Sequence, residues 1–420
     1  MASAQQRLSS VQGHLQAGDS RARKALLAKN PDGIVITLAV RTPLTKARKG
    51  ALKDTHLDDL LIALLTAVRE RSNLDPSLVE DVCVGNVSAP SAAYASRSAV
   101  LVAGYPVTTS VSVANRFCSS GLLAIQQVAN QIQAGAIDIG IGVGAESMST
   151  TPSNDAAAVS EAVLNHPIAS QNQMPMGHTS ENVAGQFNIS REKMDDFAAR
   201  SHQRAELAQK SGWVVDEIAP IRVKVKDPKT GQVREVVADR DDGIRYGTTA
   251  ESLAKVLPAF PQWRPGRATG GNASQITDGA AAVLMMNRSR ALELEQPIIG
   301  KFCGATVTGL APRIMGIGPT LAIPKMMKKL NLQKEDVDVF EINEAFASMG
   351  VCCVDKLGLD IEKVNPRGGA IAIGHPLGCT GARQVVTALS ELRRQNKRLA
   401  VTSMCVGTGM GMAGVFVSEH

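Results

Sequence analysis

The chain has 420 residues, 44% of them hydrophobic and 3% aromatic, and a formal charge of +6. No apolar run reaches the roughly 18 residues that a membrane span needs, and the scarcity of aromatics speaks against a base-stacking nucleic-acid platform. Of the +6, +4 falls within residues 1–30, where Arg7, Arg21, Arg23, Lys24 and Lys29 oppose Asp19 alone; the rest is nearly neutral, so no nucleic-acid partner is expected.

Residues 1–32 read as a polar, basic appendage that ends at Asn30-Pro31-Asp32-Gly33. Within it Arg7-Leu8 is followed, five residues on, by His14-Leu15, and Leu8, Val11 and Leu15 would share one face of a helix. From Gly33 a strand is expected over 33–38, then a helix over 57–71 and a strand over 79–86. The β-branched, alternating stretch 108–114 predicts another strand. It runs through Asn115-Arg116-Phe117-Cys118-Ser119-Ser120-Gly121 into a helix over 119–134, and a buried strand follows over 137–143. Residues 151–272 are more polar and contain no cysteine, and they read as an inserted loop, or lid, domain.

After Gly271-Asn272-Ala273-Ser274 the apolar α/β pattern resumes and repeats the first half. Asn86 to Cys118 is a step of 32 residues, and Asn343 to His375 is again 32 (118 − 86 and 375 − 343). A glycine opens a helix after each, Gly121 and Gly381. The expected organisation is therefore an α/β chain divided as 1–32 (appendage), 33–150 (first half), 151–272 (loop domain) and 273–420 (second half). A pseudo-twofold would bring the reactive turns of both halves together.

Seven cysteines occur, an odd number with no CxxC spacing: Cys83, Cys118, Cys303, Cys352, Cys353, Cys379 and Cys405. A zinc site and a secreted disulfide framework are both disfavoured, no metal site is expected, and a reducing compartment fits better. Cys118 stands between a strand and a helix, where free N–H groups and the helix dipole would lower a thiol pKa; a buried packing cysteine is the alternative. His375, framed by Gly374 and Gly378, sits in a tight turn and would activate a thiol within reach. Cys405 enters the loop Val406-Gly407-Thr408-Gly409, whose N–H groups suit an oxyanion, and a second thiol can act as acid and base. Asn343 can orient a water or a carbonyl, and Glu344 is equally readable as a helix-capping carboxylate. Cys83, Cys303, Cys352, Cys353 and Cys379 read as core.

Taken together these motifs resemble the thiolase family. The stretch 115–122 is similar to its nucleophile signature, Asn343-Glu344-Ala345-Phe346-Ala347 to its NEAFA motif, 365–378 to its second signature and 403–411 to its carboxy-terminal one. They occur in family order over about residues 33–418. The stretch 174–184 and the Arg7-Leu8-x5-His14-Leu15 pattern resemble the peroxisomal branch, the latter as an amino-terminal import signal read by an import receptor.

The resemblance implies a five-layer α-β-α-β-α fold and thiolytic cleavage of a 3-ketoacyl-CoA by CoA in the peroxisome, with no permanently bound cofactor. Cys118 would be the nucleophile that becomes acylated, and Cys405 the acid and base. His375 would activate Cys118 and, with a water on Asn343, bind one oxyanion. The N–H groups of Cys118 and Gly407 would bind the other. Arg245 and Ser252 would lie near the adenine end of CoA and Ser274 near its pantetheine, and the chain would form a homodimer. Leu123, Phe117 and the run Gly407-Thr408-Gly409-Met410 depart from the commoner family pattern without removing a reactive group. The alternatives are a biosynthetic, acetoacetyl-CoA-type thiolase, a decarboxylating condensing enzyme, which would want two histidines, and a non-catalytic acyl-CoA-binding relative.

Overall fold

The computed structural model describes residues 20–151 and 158–420; the Arg7-Leu8 and His14-Leu15 pairs lie outside these. The described chain opens with helix α1, Arg21–Leu27, capped by the Ser20 hydroxyl, which accepts the Arg23 N–H. Its Ala22, Leu26 and Leu27 pack on the core of the second half. Arg23 pairs with Asp338 at 2.8 Å, and Lys301 Nζ donates to the Ala28 carbonyl at 2.8 Å. This part of the expected appendage is thus built into the fold. Its apolar face is only three residues wide, and its partners lie at the far end of the chain, so composition alone misses it.

The first half follows as β1 (Ile34–Arg41), β2 (Thr45–Lys46), α2 (Leu57–Ser72), β3 (Asp81–Gly85), α3 (Ala92–Val102), β4 (Ser110–Ala114), α4 (Ser120–Gln133) and β5 (Ile139–Ser147). The inserted segment carries α5 (Met176–Gln186), α6 (Arg191–Lys210) and a separate hairpin, β6 (Ile221–Lys226) with β7 (Val233–Ala238). Strand β8 (Thr277–Asn287) comes after the insert in chain order but pairs antiparallel with both β5 and β1. The segment beginning at 273 therefore opens with a strand of the first half's sheet. That sheet runs β4-β3-β5-β8-β1.

The second half comprises β9 (Gly300–Gly309), α7 (Pro319–Lys329), β10 (Val339–Ile342), α8 (Ala347–Leu357), α9 (Thr380–Arg394), β11 (Leu399–Val406) and β12 (Met410–Ser418), in sheet order β10-β11-β12-β9. Where the first half has β4, the second has a single parallel bridge from Val364 to Phe340. The turn-forming run Asn365-Pro366-Arg367-Gly368-Gly369 ends the extended stretch there, since proline and glycine leave a ladder without donors or side-chain packing. The two sheets touch edge to edge through β1 and β9 over Val35↔Lys301 and Ile36↔Gly300.

The cores follow from this order as five layers. Leu61, Leu64, Leu65 and Val68 of α2 and Ala99 and Val100 of α3 cover one face of the first sheet. Helix α7 and Cys353 of α8 cover the outer face of the second. Between the sheets, α4 (Leu122, Ile125, Val128) and α9 (Ala382, Val385, Leu389) share one core with Val283, Met404 and Phe416. Strand β5 shows how tightly this middle layer is seated. Its Ile139, Ile141 and Val143 face the outer core. The intervening Gly142 faces α4, where a methyl group would fall 2.7 Å from Ile125 Cα. The I-G-I-G-V-G pattern is thus one apolar face and one bare face, on which a helix backbone rests.

The insert is held to both halves by buried ion pairs. Arg41 of β1 contacts Asp241 at 2.7 Å and Glu217 at 2.8 Å, and Arg367 contacts Glu217 at 3.3 Å and Glu391 at 2.6 Å. All are almost fully buried, so loss of one partner would strand a charge.

Candidate active site

Cys118 lies in the turn between β4 and α4, with Phe117 in the left-handed region at φ 45°. The turn closes on itself. The Ser119 N–H donates to Arg116 O at 3.1 Å, the Ser120 N–H to Phe117 O at 3.0 Å, and the Ser120 hydroxyl to the same carbonyl at 2.6 Å. The first N–H groups of α4 are therefore spent within the loop. Burial pushes the Cys118 thiol up to about 11; the facing N–H groups of Gly407 and of Cys118 itself act against this, and the Glu146 charge adds to it. The expectation of a thiol lowered by the helix dipole is overturned: the side chain is 8% exposed, and desolvation outweighs the dipole.

Cys405 is the penultimate residue of β11, almost fully buried among Met315, Ala345 and Met349. Burial and the neighbouring Cys118 hold its thiol well above the ordinary range. The two cysteines, from opposite halves, thus share one site. Gly407, two residues on, also backs the nucleophile turn, since a methyl group there would stand 3.4 Å from the Phe117 ring.

His375 is oriented from three sides. Its N–H donates to Gln275 O at 2.9 Å. Its Nδ1 lies 2.6 Å from Thr380 Oγ1, and that hydroxyl donates to Pro376 O at 3.1 Å. The single hydroxyl proton being spent, Nδ1 carries the hydrogen and Nε2 the lone pair. Nε2 faces Asn343 Nδ2 at 3.3 Å. Burial, with Arg383 nearby, lowers the imidazole to about 3, so it is neutral at pH 7.

Asn343 follows β10, and its N–H donates to Ser403 O at 2.9 Å, which ties it to the strand bearing Cys405. Its Oδ1 is buried and has no hydrogen-bond partner, which leaves an acceptor free for a water or ligand O–H. Glu344 accepts from the Ser201 hydroxyl at 2.6 Å, Asn365 Nδ2 at 2.8 Å and the Ile371 N–H at 3.1 Å. It thus caps the short helix Ala370–Ile373 that precedes His375.

The expected CoA contacts are more dispersed. The Ser274 N–H donates to Ala345 O at 3.0 Å, beside Asn343. The Arg245 N–H donates to His202 Nδ1 at 3.2 Å, and Ser252 is exposed in a capping box with Thr249. Neither Arg245 nor Ser252 is joined by a hydrogen bond to Cys118, His375 or Cys405. Glu146, buried at the end of β5, is a site residue that sequence reasoning missed. Its signal is a carboxylate closing an otherwise apolar strand. Among the described residues no group of three His, Cys, Asp or Glu is arranged to hold a metal, and no helix is long and apolar enough to cross a membrane.

A thiol flanked by two N–H groups, a second thiol, a neutral imidazole whose Nε2 is an acceptor and an unpaired amide oxygen form a site suited to acyl transfer through a thioester. Comparison with known proteins agrees with this chemistry. Residues 34–289 match the family model described as thiolase, N-terminal domain, and residues 296–418 that of thiolase, C-terminal domain. The chain is 50% identical to the peroxisomal 3-ketoacyl-CoA thiolase of Yarrowia lipolytica over 98% of its length and 100% of the relative's. It is 47% identical to the peroxisomal 3-ketoacyl-CoA thiolase of Homo sapiens over 98% and 99%. The crystal structure of the dimeric peroxisomal thiolase of Saccharomyces cerevisiae superposes with a TM-score of 0.87 at 45% identity, covering 94% of this chain and 100% of that one. Human mitochondrial 3-ketoacyl-CoA thiolase in complex with CoA gives 0.82 at 35% identity, covering 93% and 98%.

Proposed function

The chain belongs to the thiolase family, and from that premise we propose that it cleaves a 3-ketoacyl-CoA with CoA, giving acetyl-CoA and a shortened acyl-CoA. It is an acetyl-CoA C-acyltransferase that works in the peroxisome, at the last step of fatty-acid β-oxidation, as its relatives' names indicate. The observation that carries the reading is the Cys118 thiol facing the N–H groups of Gly407 and Cys118, with Cys405 beside it.

In the first half-reaction Cys118 gives its proton to His375 Nε2, and the sulfur adds to the 3-keto carbon. The oxyanion so formed is met by the two N–H groups. The bond between C2 and C3 then breaks; its electron pair becomes the enolate of acetyl-CoA, and Cys405 protonates C2. The acyl group remains on Cys118 as a thioester. In the second half-reaction CoA enters, its thiol proton passes to Cys405, and its sulfur attacks the acyl carbon. Cys118 leaves as thiolate and recovers its proton from His375. A water that donates one hydrogen to Asn343 Oδ1 supplies, together with the protonated His375 Nε2, the second set of oxyanion donors, for the enolate. One oriented donor of this kind contributes about 2.7–4 kcal/mol to the transition state.

CoA is substrate here rather than resident cofactor. We assign its adenine end to Arg245 and Ser252 and its pantetheine to Ser274, the last supported by the Ser274–Ala345 hydrogen bond. The chain forms a homodimer, as the S. cerevisiae relative does. We place the contact at β4, the outer strand of the first sheet, beside exposed Tyr94, Val102 and Val107. Arg7-Leu8 and His14-Leu15 would be read by the import receptor, and 33–150, 151–272 and 273–420 follow as first half, insert and second half, with β8 of the last segment completing the first half's sheet. The deciding experiment mixes protein, a 3-ketoacyl-CoA and CoA and follows acetyl-CoA together with intact mass. An acyl adduct that disappears in Cys118→Ala is the expected result; acetyl-CoA release by that variant at the parent rate would refute the assignment.

A further inference from the structure

Glu146 is the completely buried penultimate residue of the nucleophile half's central strand, β5, and is untouched by the reaction steps above. Its carboxylate is fully used. Oε1 accepts from the Ser88 N–H at 3.0 Å and Asn86 Nδ2 at 3.1 Å, and Oε2 from the Val87 N–H at 3.0 Å and the Gly378 N–H at 2.9 Å. Among the described residues no lysine or arginine forms an ion pair with it. A buried carboxylate held by amide donors alone is an expensive way to join two loops, and simple packing does not ask for it.

Three of these donors lie in the first half, on the segment that leaves β3. The fourth belongs to the second half, three residues after His375 and two before Thr380, which holds the imidazole. The seat is close. A methyl group at Gly378 would fall 2.7 Å from Gly85 O and 2.8 Å from Asn86 Cα, and one at Gly121 would fall 2.7 Å from Gly378 O. The 375–380 turn thus rests on the first turn of the helix that follows Cys118.

We propose that Glu146 is a positioning residue for the nucleophile: its carboxylate seats the His375 turn against the Cys118 turn and keeps a fixed negative charge beside the thiol. This rests on Cys118 being the nucleophile, as assigned above. The titratable and charged groups around the pair are Cys118, Cys379, Cys405 and His375, with Arg383, Arg41 and Asp241; burial raises Glu146 itself, and its N–H donors act against this. Glu146 raises both Cys118 and Cys379, whereas Arg383 acts on Cys379 and His375. The charge opposes thiolate formation and so adds to burial in holding Cys118 as the thiol.

Two substitutions weigh the seating and the charge differently. Glu146→Asp keeps the charge but is one methylene shorter, and so loses Gly378 first. Its kcat should fall about tenfold or more, while the pH profile of Cys118 alkylation by iodoacetamide stays at the parent position. Glu146→Gln removes the charge, while turning an NH2 towards two of the four N–H donors, and should move that profile to lower pH by about one unit. A Glu146→Asp enzyme with parental kcat, or a folded Glu146→Gln enzyme with an unmoved alkylation profile, would overturn the proposal. Should Glu146→Gln fail to fold, the Asp variant's kcat decides alone. The thiolase reading fails separately: there the parent enzyme itself would show no Cys118-dependent turnover.

Discussion

Gly121 and Gly381 stand at the crossing of the two middle-layer helices, each pressed against the other's backbone. A methyl group on Gly121 would lie 2.8 Å from Ala382 N, and one on Gly381 would run into Leu122 N and come within 2.9 Å of Leu122 Cβ. Each glycine opens the helix next to a reactive turn, so the distance between Cys118 and His375 is set by how closely these two backbones approach. Gly381→Ala should lower stability by about 1–3 kcal/mol, the usual cost of overpacking a close-fitted core, and should also depress kcat. Urea unfolding of the purified variant measures the first and acetyl-CoA release the second. Parental values in both would show that the helix contact yields without consequence.

The pH dependence of Cys118 follows from its burial. A thiol pushed up to about 11 is protonated at pH 7 and 8, in contrast to an ordinary cysteine near 8.5. Alkylation of the free enzyme should therefore be slow at neutral pH and rise about tenfold per pH unit well beyond pH 9. Iodoacetamide labelling, followed by mass at Cys118, measures it. A rate that levels off by pH 8 would mean that the resting site already holds a thiolate.

The two reactive turns were legible because each motif is local: Asn115 to Gly121, and Gly374 to Gly378, carry their chemistry within a few consecutive residues. The repeat was legible through the equal steps from Asn86 to Cys118 and from Asn343 to His375. What escaped depends on contacts between distant segments. The raised Cys118 thiol comes from burial under the second half, the membership of β8 from hydrogen bonds across an insert, and the docking of α1 from partners at Lys301 and Asp338. Glu146 escaped for the same reason, since its fourth donor lies 232 positions further on. Pattern reading sees neighbours in sequence, and desolvation is a property of neighbours in space.

Asn343 offers a cleaner probe of oxyanion binding than the cysteines, because it carries no proton of the reaction. Its Oδ1 lacks a partner, and its Nδ2 faces His375. Asn343→Ala should cut kcat by about 10²-fold, the scale for one oriented oxyanion contact, with a much smaller change in KM for CoA. Steady-state kinetics in the cleavage direction checks this. A change confined to KM would move Asn343 from the reaction to substrate binding.

The assembly at β4 is open to a direct test. Tyr94 is 83% exposed and Val107 is 77% exposed, and apolar side chains so placed beside an outer strand invite pairing with a second copy. Tyr94→Arg with Val107→Arg would set like charges against each other across a twofold contact. Sedimentation velocity should then show monomer where the parent sediments as dimer. A dimer of unchanged stability would put the contact on another face.

His202 gives the acid-side prediction, with the sign fixed by linkage. It is buried, its Nδ1 accepts the Arg245 N–H at 3.2 Å, and its Nε2 has no partner. Burial first, then the nearby charges of Arg245 and Lys46, lower it from 6.5 to about 4. Between those values the unfolded chain holds a proton that the folded one does not. The stabilising contribution is therefore complete above pH 6.5 and is lost as the pH falls towards 4. At pH 5 the loss from this one group amounts to about 2 kcal/mol. His202→Gln keeps an acceptor for the Arg245 N–H and removes the titration. The difference in unfolding free energy between parent and variant should therefore shrink or reverse between pH 7.5 and pH 5. Comparing the two proteins at both pH values cancels the other buried groups that titrate in the same range, such as Glu341, raised to about 7, and Asp278, raised to about 6. Equal acid sensitivity in both proteins would mean that His202 takes up its proton without unfolding the site around it.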